Sequence, residues 1–192
     1  MLTKIKETKL LETKVFTVVQ KEFEGTNFKP VGLNCYDWVM VIIKDTRKDQ
    51  FVFVKQTRWG EEAQTVEFPC GTIDPDELIK FGREKARLHA AIREVKEETG
   101  LDIKEEDVIM IKKPFNPNPA YFNNRMTIFY TEIPELEYIF HKHKDELNLD
   151  PDEDCIPYIG DSLEFEDLEE HALGTVAVHA YEKYMRNKQE SK

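Results

Sequence analysis

From residue 82 to residue 99 the chain places apolar side chains at helical spacing, and the pattern stops at Gly100. Leu88, Ala91, Ile92 and Val95 stand at i, i+3, i+4 and i+7, one stripe on a helix of about 3.6 residues per turn. Gly100 suits the C-cap. Such a stripe needs a surface to pack on, and strand-like segments flank it. Residues 11–24 read as an extended arm, with Val15, Phe16, Val18 and Val19 as β-formers. Tyr36–Lys44 and Gln50–Gln56 are expected as strands joined by the polar turn Asp45–Asp49. Further strands are expected at Thr65–Pro69, Val108–Lys112, Met126–Glu132 and Cys155–Ile159. His141–Asp154 reads as an acidic, irregular stretch, and Leu163–Glu170 and Leu173–Arg186 as closing helices. Strands mixed with a few helices predict an α/β or α+β fold.

The helix also carries Glu94, Glu97 and Glu98, again at i, i+3 and i+4, on a face beside the stripe. Like charges at this spacing destabilise a helix by roughly 0.2–0.5 kcal/mol per pair. Glu97 and Glu98 stand in the last turn, where the macrodipole disfavours anions by about 0.3–1 kcal/mol each. A divalent cation reverses both effects, and magnesium takes carboxylate and phosphate oxygens. A merely solvated face accounts for the same three residues, because glutamate is a good helix former.

At 192 residues the chain can hold one full-sized core, with or without an extra arm. Its net charge of −11 and lack of a basic patch argue against nucleic-acid and membrane partners. They still allow a small anionic substrate accompanied by a cation. No apolar run approaches the ~18 residues of a membrane span, and Met1–Leu10 has no signal-peptide core. Cys35, Cys70 and Cys155 show neither zinc-ligand spacing nor C-x-x-C. A reducing cytoplasm is the expected location.

Upstream of the helix stand Glu67-Phe68-Pro69-Cys70-Gly71 and then Glu77. Gly71, Glu77, Arg93, Glu94, Val95, Glu97, Glu98, Gly100 and Leu101 together resemble the Nudix box, G-x5-E-x7-R-E-U-x-E-E-x-G-U, where U is aliphatic. The second half matches at every fixed position. The first half is stretched, because fifteen residues (78–92) stand where the pattern has seven, an excess of eight. Placed in Leu78–Lys85, the excess predicts a longer loop before the helix. That loop would part Glu77 from Arg93, its expected structural partner, and leave Glu84 as the alternative. Other segments resemble the ADP-ribose pyrophosphatase branch of the family. Val54-Lys55-Gln56-Thr57-Arg58 is similar to its V-x-Q-x-R, and Glu67–Gly71 to its E-L-P-A-G. Pro117, sixteen residues past Leu101, occupies the place of a downstream proline. Asn118-Pro119-Ala120 with Asn123-Asn124-Arg125 resembles the version of that segment found in some members. His171-Ala172-Leu173 resembles the start of the last helix.

The resemblance implies a Nudix α/β/α sandwich with a mixed β-sheet and an N-terminal strand arm. Residues 1–30 would form the arm, a homodimerisation element offering Phe16, Phe23 and Phe28, and residues 31–192 the hydrolase domain. It implies Mg2+-dependent hydrolysis, with Mn2+ as a substitute, of a nucleoside diphosphate linked to another group, ADP-ribose or a related nucleotide sugar. Glu94, Glu97, Glu98 and the Cys70 carbonyl would hold the metal. Glu97 and Glu98 would act in catalysis with Glu153, the candidate water-activating base. Arg58 is expected to pair with the diphosphate, as guanidinium does with phosphate oxygens. Arg125 would do similar work or anchor its loop. Gly71, Glu77, Arg93 and Gly100 would be structural. The alternative is a non-catalytic domain that binds a nucleotide sugar, which would require the insertion to distort the box.

Overall fold

Val39–Ile43 and Phe51–Val54 are fully buried without a polar break. Strands that are apolar on both faces need cover on both faces. The computed structural model, which describes residues 3–149 and 154–191, provides that cover. Its strands are β1 (Lys4–Glu12), β2 (Phe16–Phe23), β3 (Val31–Cys35), β4 (Trp38–Asp45), β5 (Phe51–Arg58), β6 (Ala63–Glu67), β7 (Cys70–Thr72), β8 (Ile109–Phe115), β9 (Met126–Ile133) and β10 (Ile156–Gly160). Its α-helices are α1 (Pro75–Thr99), α2 (Leu136–His143), α3 (Phe165–Leu168) and α4 (Ala172–Glu190).

The main sheet runs β10-β5-β4-β9-β8, with β6 added to β5 and β7 to β4. β4 and β9 are parallel, from Trp38 opposite Met126 to Asp45 opposite Ile133. The remaining pairs are antiparallel, so the sheet is mixed. Strand alternation then sorts the core into two halves. Val39, Val41, Ile43, Val52 and Phe129 pack with Ala90, Ala91 and Val95 of α1 and Phe140 of α2. Met40, Ile42, Phe51, Phe53 and Ile128 pack with Leu168 of α3 and Ala177 and Val178 of α4. This is the expected α/β/α layering.

Helix α1 departs from expectation at its start. The segment Leu78–Lys85 is helical rather than looped, interrupted only at Gly82, whose φ of 72° and ψ of 161° lie outside helical space. Only glycine adopts that conformation readily. Pro75 at the first turn and the Asp74 N–H, which donates to Glu77 Oε2 at 3.0 Å, begin the helix seven residues before Gly82. Its buried stripe is Ala86, Ala90, Ala91 and Val95. Ile92, expected in that stripe, is half-buried. Gly100 ends the helix in the left-handed region at φ 73°, with its N–H on the Lys96 carbonyl. A Cβ there would lie 2.0 Å from the His143 carbonyl oxygen, so only glycine fits.

The arm is larger than its sequence suggested. β1, β2 and β3 form their own antiparallel sheet, which continues past residue 30 to Cys35. Leu33 joins it to the body through Tyr121 and Asn123, and the Cys35 N–H donates to Asn123 Oδ1 at 3.0 Å. Of the aromatics expected for a partner, only Phe28 is exposed; Phe16 and Phe23 are half-buried. α2 occupies the beginning of the stretch expected to be irregular. Among the described residues no helix is long and apolar enough to cross a membrane.

Candidate active site

The folded chain lines one polar cavity of about 530 Å3 from four directions in sequence. α1 supplies Arg93, Glu94, Glu97 and Glu98. β7 and the turn after it supply Cys70, Gly71, Thr72 and Asp74. β4 and β5 contribute Trp38, Gln56 and Arg58, and the turn between β1 and β2 brings Lys14 and Val15. The helix residues, Cys70, Gly71 and Arg58 were legible in advance. Lys14 was not, since only the folding of the arm brings it here. Gln56 stands in the Val54–Arg58 segment, whose spacing alone assigns it no role. Its Nε2 is buried and has no hydrogen-bond partner among the described residues.

Arg93 organises the carboxylates. Its Nη1 donates to Glu94 Oε1 at 2.9 Å and to Glu97 Oε2 at 2.7 Å, and its Nη2 to the Thr72 carbonyl at 2.8 Å. Glu77 meets the same guanidinium at 3.3 Å. Burial would favour a neutral Arg93, but the surrounding glutamates hold it firmly protonated. The insertion therefore does not part Glu77 from Arg93, because its helical turns bring Glu77 back beneath the arginine. Glu84 is exposed and is not needed in that place. Glu98 is 3% exposed, and its Oε2 accepts from the Cys70 N–H at 2.9 Å.

Gly71 lies against Glu94. A Cβ at residue 71 would stand 2.1 Å from that carboxylate. Gly71→Ala is expected to displace Glu94 and to cost roughly 1–3 kcal/mol, as overpacking does. Gly60, with open space around it, is the control position. Thermal melts and kcat/KM for the two alanine variants should differ clearly; matching values would contradict the close approach.

Arg58 lines the cavity, but much of its hydrogen-bonding capacity is engaged. Nε and Nη2 form a fork on Glu67 at 2.6 Å each, and the guanidinium lies 5.9 Å from the centre of the Trp38 ring. The Cys70 thiol sits 3.4 Å from Glu67. Burial and the Glu67 charge push its pKa well above the ordinary value, so it is a packed, unreactive group. Arg125 is exposed and does not line this cavity. Its N–H donates to Asp37 Oδ1 at 2.8 Å, which leaves it at the loop end rather than beside the carboxylates. Glu153 lies outside the described residues. The adjoining Asp154 accepts hydrogen bonds from the Thr57 N–H and hydroxyl, next to Arg58 in β5.

A NUDIX domain model matches residues 37–186. The chain belongs to the Nudix family. A solved structure, described as the crystal structure of ADP compounds hydrolase, aligns with a TM-score of 0.67 and 21% identity. The alignment covers 97% of this chain and 95% of that one. At that identity the likeness speaks for the fold. No curated protein matches the chain significantly.

Family membership makes this a Nudix pyrophosphohydrolase, and enzymes of that family generally use a divalent metal. The Nudix box here has the donors for one. Glu94 and Glu97 meet on the Arg93 guanidinium, Glu98 lies at the Cys70 N–H, and all three carboxylates line one cavity with the backbone of Cys70 adjacent. Among the described residues, no three His, Cys, Asp or Glu side chains already converge as a ligand set. The reason is visible in the contacts: Arg93 Nη1 bonds both Glu94 and Glu97, while Glu98 is turned to the Cys70 N–H. The site fits a divalent cation in the chemistry of its donors.

Proposed function

We propose that the chain hydrolyses the pyrophosphate bond of a nucleoside diphosphate joined to a second group, ADP-ribose or a related nucleotide sugar, using Mg2+ with Mn2+ as a substitute. The observation that carries this reading is the meeting, in one cavity, of three box carboxylates with the cationic side chains of Lys14 and Arg58. Glu94, Glu97, Glu98 and the Cys70 carbonyl would hold the cation. The cation supplies charge neutralisation for the diphosphate and acidifies water. Phosphoryl transfer of this kind depends mainly on positioning and electrostatics.

The protein's own part is to orient the diphosphate. Gln56 forms part of the cavity wall. Lys14 adds charge from the arm, and Arg58 adds what its pairing with Glu67 leaves available. Glu97 and Glu98 act in catalysis, with Glu153 as the base that takes a proton from water. The tie between Asp154 and Thr57 supports that assignment, because it fastens the neighbouring residue beside Arg58. Arg93, Glu77, Gly71 and Gly100 keep the box in shape. A non-catalytic binding domain would need a distorted box, and the Glu77–Arg93 contact speaks against it.

ADP-ribose, ADP-sugars, NADH and nucleoside triphosphates, assayed with Mg2+ and with EDTA, test the proposal. Turnover of a nucleotide sugar that stops in EDTA is expected. Equal rates in both conditions, or no turnover across the panel, would sink it.

Residues 1–30 would serve as a dimerisation arm to the hydrolase domain of residues 31–192. The outer strand β1 leaves Ile5, Leu10 and Leu11 more than half exposed, which supports pairing with a second copy. A monomer in sedimentation at assay concentration would remove that assignment. Cys35 and Cys70 are free thiols, and a reducing cytoplasm is the proposed location.

A further inference from the structure

The carboxylate helix is seated on the sheet mostly by small side chains. Of the apolar residues that α1 buries, Ala86, Ala90 and Ala91 are alanines and only Val95 is larger. Leu88 is half-buried at the margin. Helices set their orientation by fitting ridges into grooves, and alanine makes a shallow ridge. Such a seat holds the helix against the sheet but fixes its rotation about its own axis weakly. That rotation matters here. With side chains ending about 5–6 Å from the axis, a turn of roughly 10° moves a carboxylate by about 1 Å. Displacements of that size around a reaction centre can cost about 100-fold in rate.

One buried residue of α1 is a cation. Arg87 is 5% exposed, and its Nη2 donates to Asp37 Oδ2 at 3.2 Å. Arg87 stands seven residues before Glu94 and eleven before Glu98. Both separations fall within about 20° of whole turns, so the three lie along one line of the helix. Asp37 sits at the start of β4, and its other contacts run to neighbouring walls of the site. Its Oδ1 accepts from the Arg125 N–H at 2.8 Å, and its carbonyl from the Ile73 N–H at 2.9 Å. Ile73 follows Thr72, and Trp38 follows Asp37; both Thr72 and Trp38 line the carboxylate cavity. As a source of stability the ion pair is poorly made. Arg87 Nη1 reaches only the Arg83 carbonyl, at 3.4 Å, and its buried Nε has no hydrogen-bond partner among the described residues. A buried ion pair is weak evidence for stability, and setting a single register is its best-attested use.

We propose that Arg87 is a positioning residue: through Asp37 it fixes the rotation of α1, and with it the placement of Glu94 and Glu98 against Cys70 and Gly71. Its effect on turnover rests on the hydrolase reading above; the placement itself is a property of the chain without substrate. The site leaves little room for error. Glu98 reaches the Cys70 N–H at 2.9 Å, and a Cβ at Gly71 would strike Glu94. Arg93 is less suited to this work, because it bonds mainly within α1, to Glu77, Glu94 and Glu97. Such bonds turn with the helix. Arg87 instead ties the helix to a residue of the sheet edge, two turns from the carboxylates it aligns.

The test compares wild type with two variants of the full chain. Arg87→Met/Asp37→Asn removes both charges, while the asparagine keeps an oxygen for the Arg125 N–H. Val178→Ala is a destabilising change in the other half of the core, under α4. The Cys70 N–H donates to Glu98, so its hydrogen exchange, measured in EDTA without substrate, reports where the helix holds that carboxylate. Relative to the amides of β4, exchange at Cys70 is expected to quicken about tenfold in the double variant, the scale of one hydrogen bond. In Val178→Ala the ratio should stay at its wild-type value. In Mg2+ the double variant should lose about 10- to 100-fold in kcat, the range for residues that orient metal ligands from outside, with KM little changed. Val178→Ala should keep its kcat. A double variant with wild-type exchange at Cys70 or wild-type kcat, or changes of the same size in Val178→Ala, would overturn the proposal. Should the double variant not fold, Asp37→Asn alone is read by the same two measurements. If wild type turns over no nucleotide sugar while Cys70 exchange still quickens in the double variant, the hydrolase reading falls and the positioning role stands. Turnover with exchange unmoved does the reverse.

Discussion

Replacing Glu98 by glutamine is expected to lower kcat at least about 100-fold, beyond what the loss of a supporting residue around a metal usually costs, while Tm changes little. The two halves of that expectation have different origins. Glu98 is buried and accepts from the Cys70 N–H. Glutamine keeps an oxygen for that bond and nearly the same volume, so the local fold retains its partner. It loses the negative charge, which is what a cation and a phosphorylated substrate respond to. Glu98→Ala separates the roles further, since it removes the charge and the acceptor together and should also lower Tm. A glutamine variant that keeps wild-type turnover would show that the buried carboxylate serves only the fold.

The largest stability effect is expected at Arg58. Arg58→Ala strips the fork from Glu67, which is 3% exposed, and leaves it only the Thr65 hydroxyl and the Cys70 thiol. Breaking a buried pair from one side costs about 3–5 kcal/mol. The Arg58 side chain is 32% exposed, so the lower end, about 3 kcal/mol, is the better figure. For a chain of this size that corresponds to a Tm loss of roughly 6–12 °C. Glu67→Gln in the same background removes the stranded charge and should recover part of the loss, as a double-mutant cycle would reveal.

The same pair sets a pH dependence. Burial alone would raise the Glu67 pKa, but the Arg58 hydrogen bonds and charge prevail and hold it below the ordinary 4.5. A carboxylate whose folded-state pKa is depressed contributes fully above the unfolded value. That contribution fades as pH falls through the lower, folded value. In Arg58→Ala the carboxylate has no cation, so protonation relieves it. The stability gap between wild type and variant should therefore narrow as pH falls, starting above 4.5, where the variant's buried carboxylate takes up its proton, and continuing below 4.5 as wild type loses its ion pair. A gap that widens with acid would mean that Glu67 is not the charge being stranded.

Periodicity exposed the parts of the chain that are buried on at least one face. β4, β5, β9 and α4 all fall close to where alternation and helical spacing place them. β1 escaped because it is exposed along nearly its whole length, so no alternation marks it. α2 escaped because eight residues hold too few turns for a stripe to stand out from the charges around it. The insertion in the box reads as loop because it precedes the point at which regular helical spacing sets in. One residue outside helical space does not require its neighbours to leave it, and the chain resumes the helix at once. The carboxylates of α1 were legible as a group because one helix face carries them. The Arg58–Glu67 fork lies within the β5–β6 hairpin but follows no strand or helix period, and Lys14 depends on distant segments meeting, of which local spacing carries no trace.

The turn that carries Lys14 and Val15 also joins the outer strand of the arm to the wall of the carboxylate cavity. Whatever binds β1 must therefore act on the same short piece of backbone that a ligand in the cavity touches. By linkage the influence runs equally both ways: if a contact on the outer strand tightens ligand binding, the ligand tightens that contact by the same factor. If the arm pairs with a second copy, as proposed above, occupancy of the cavity would register in the chain's state of association.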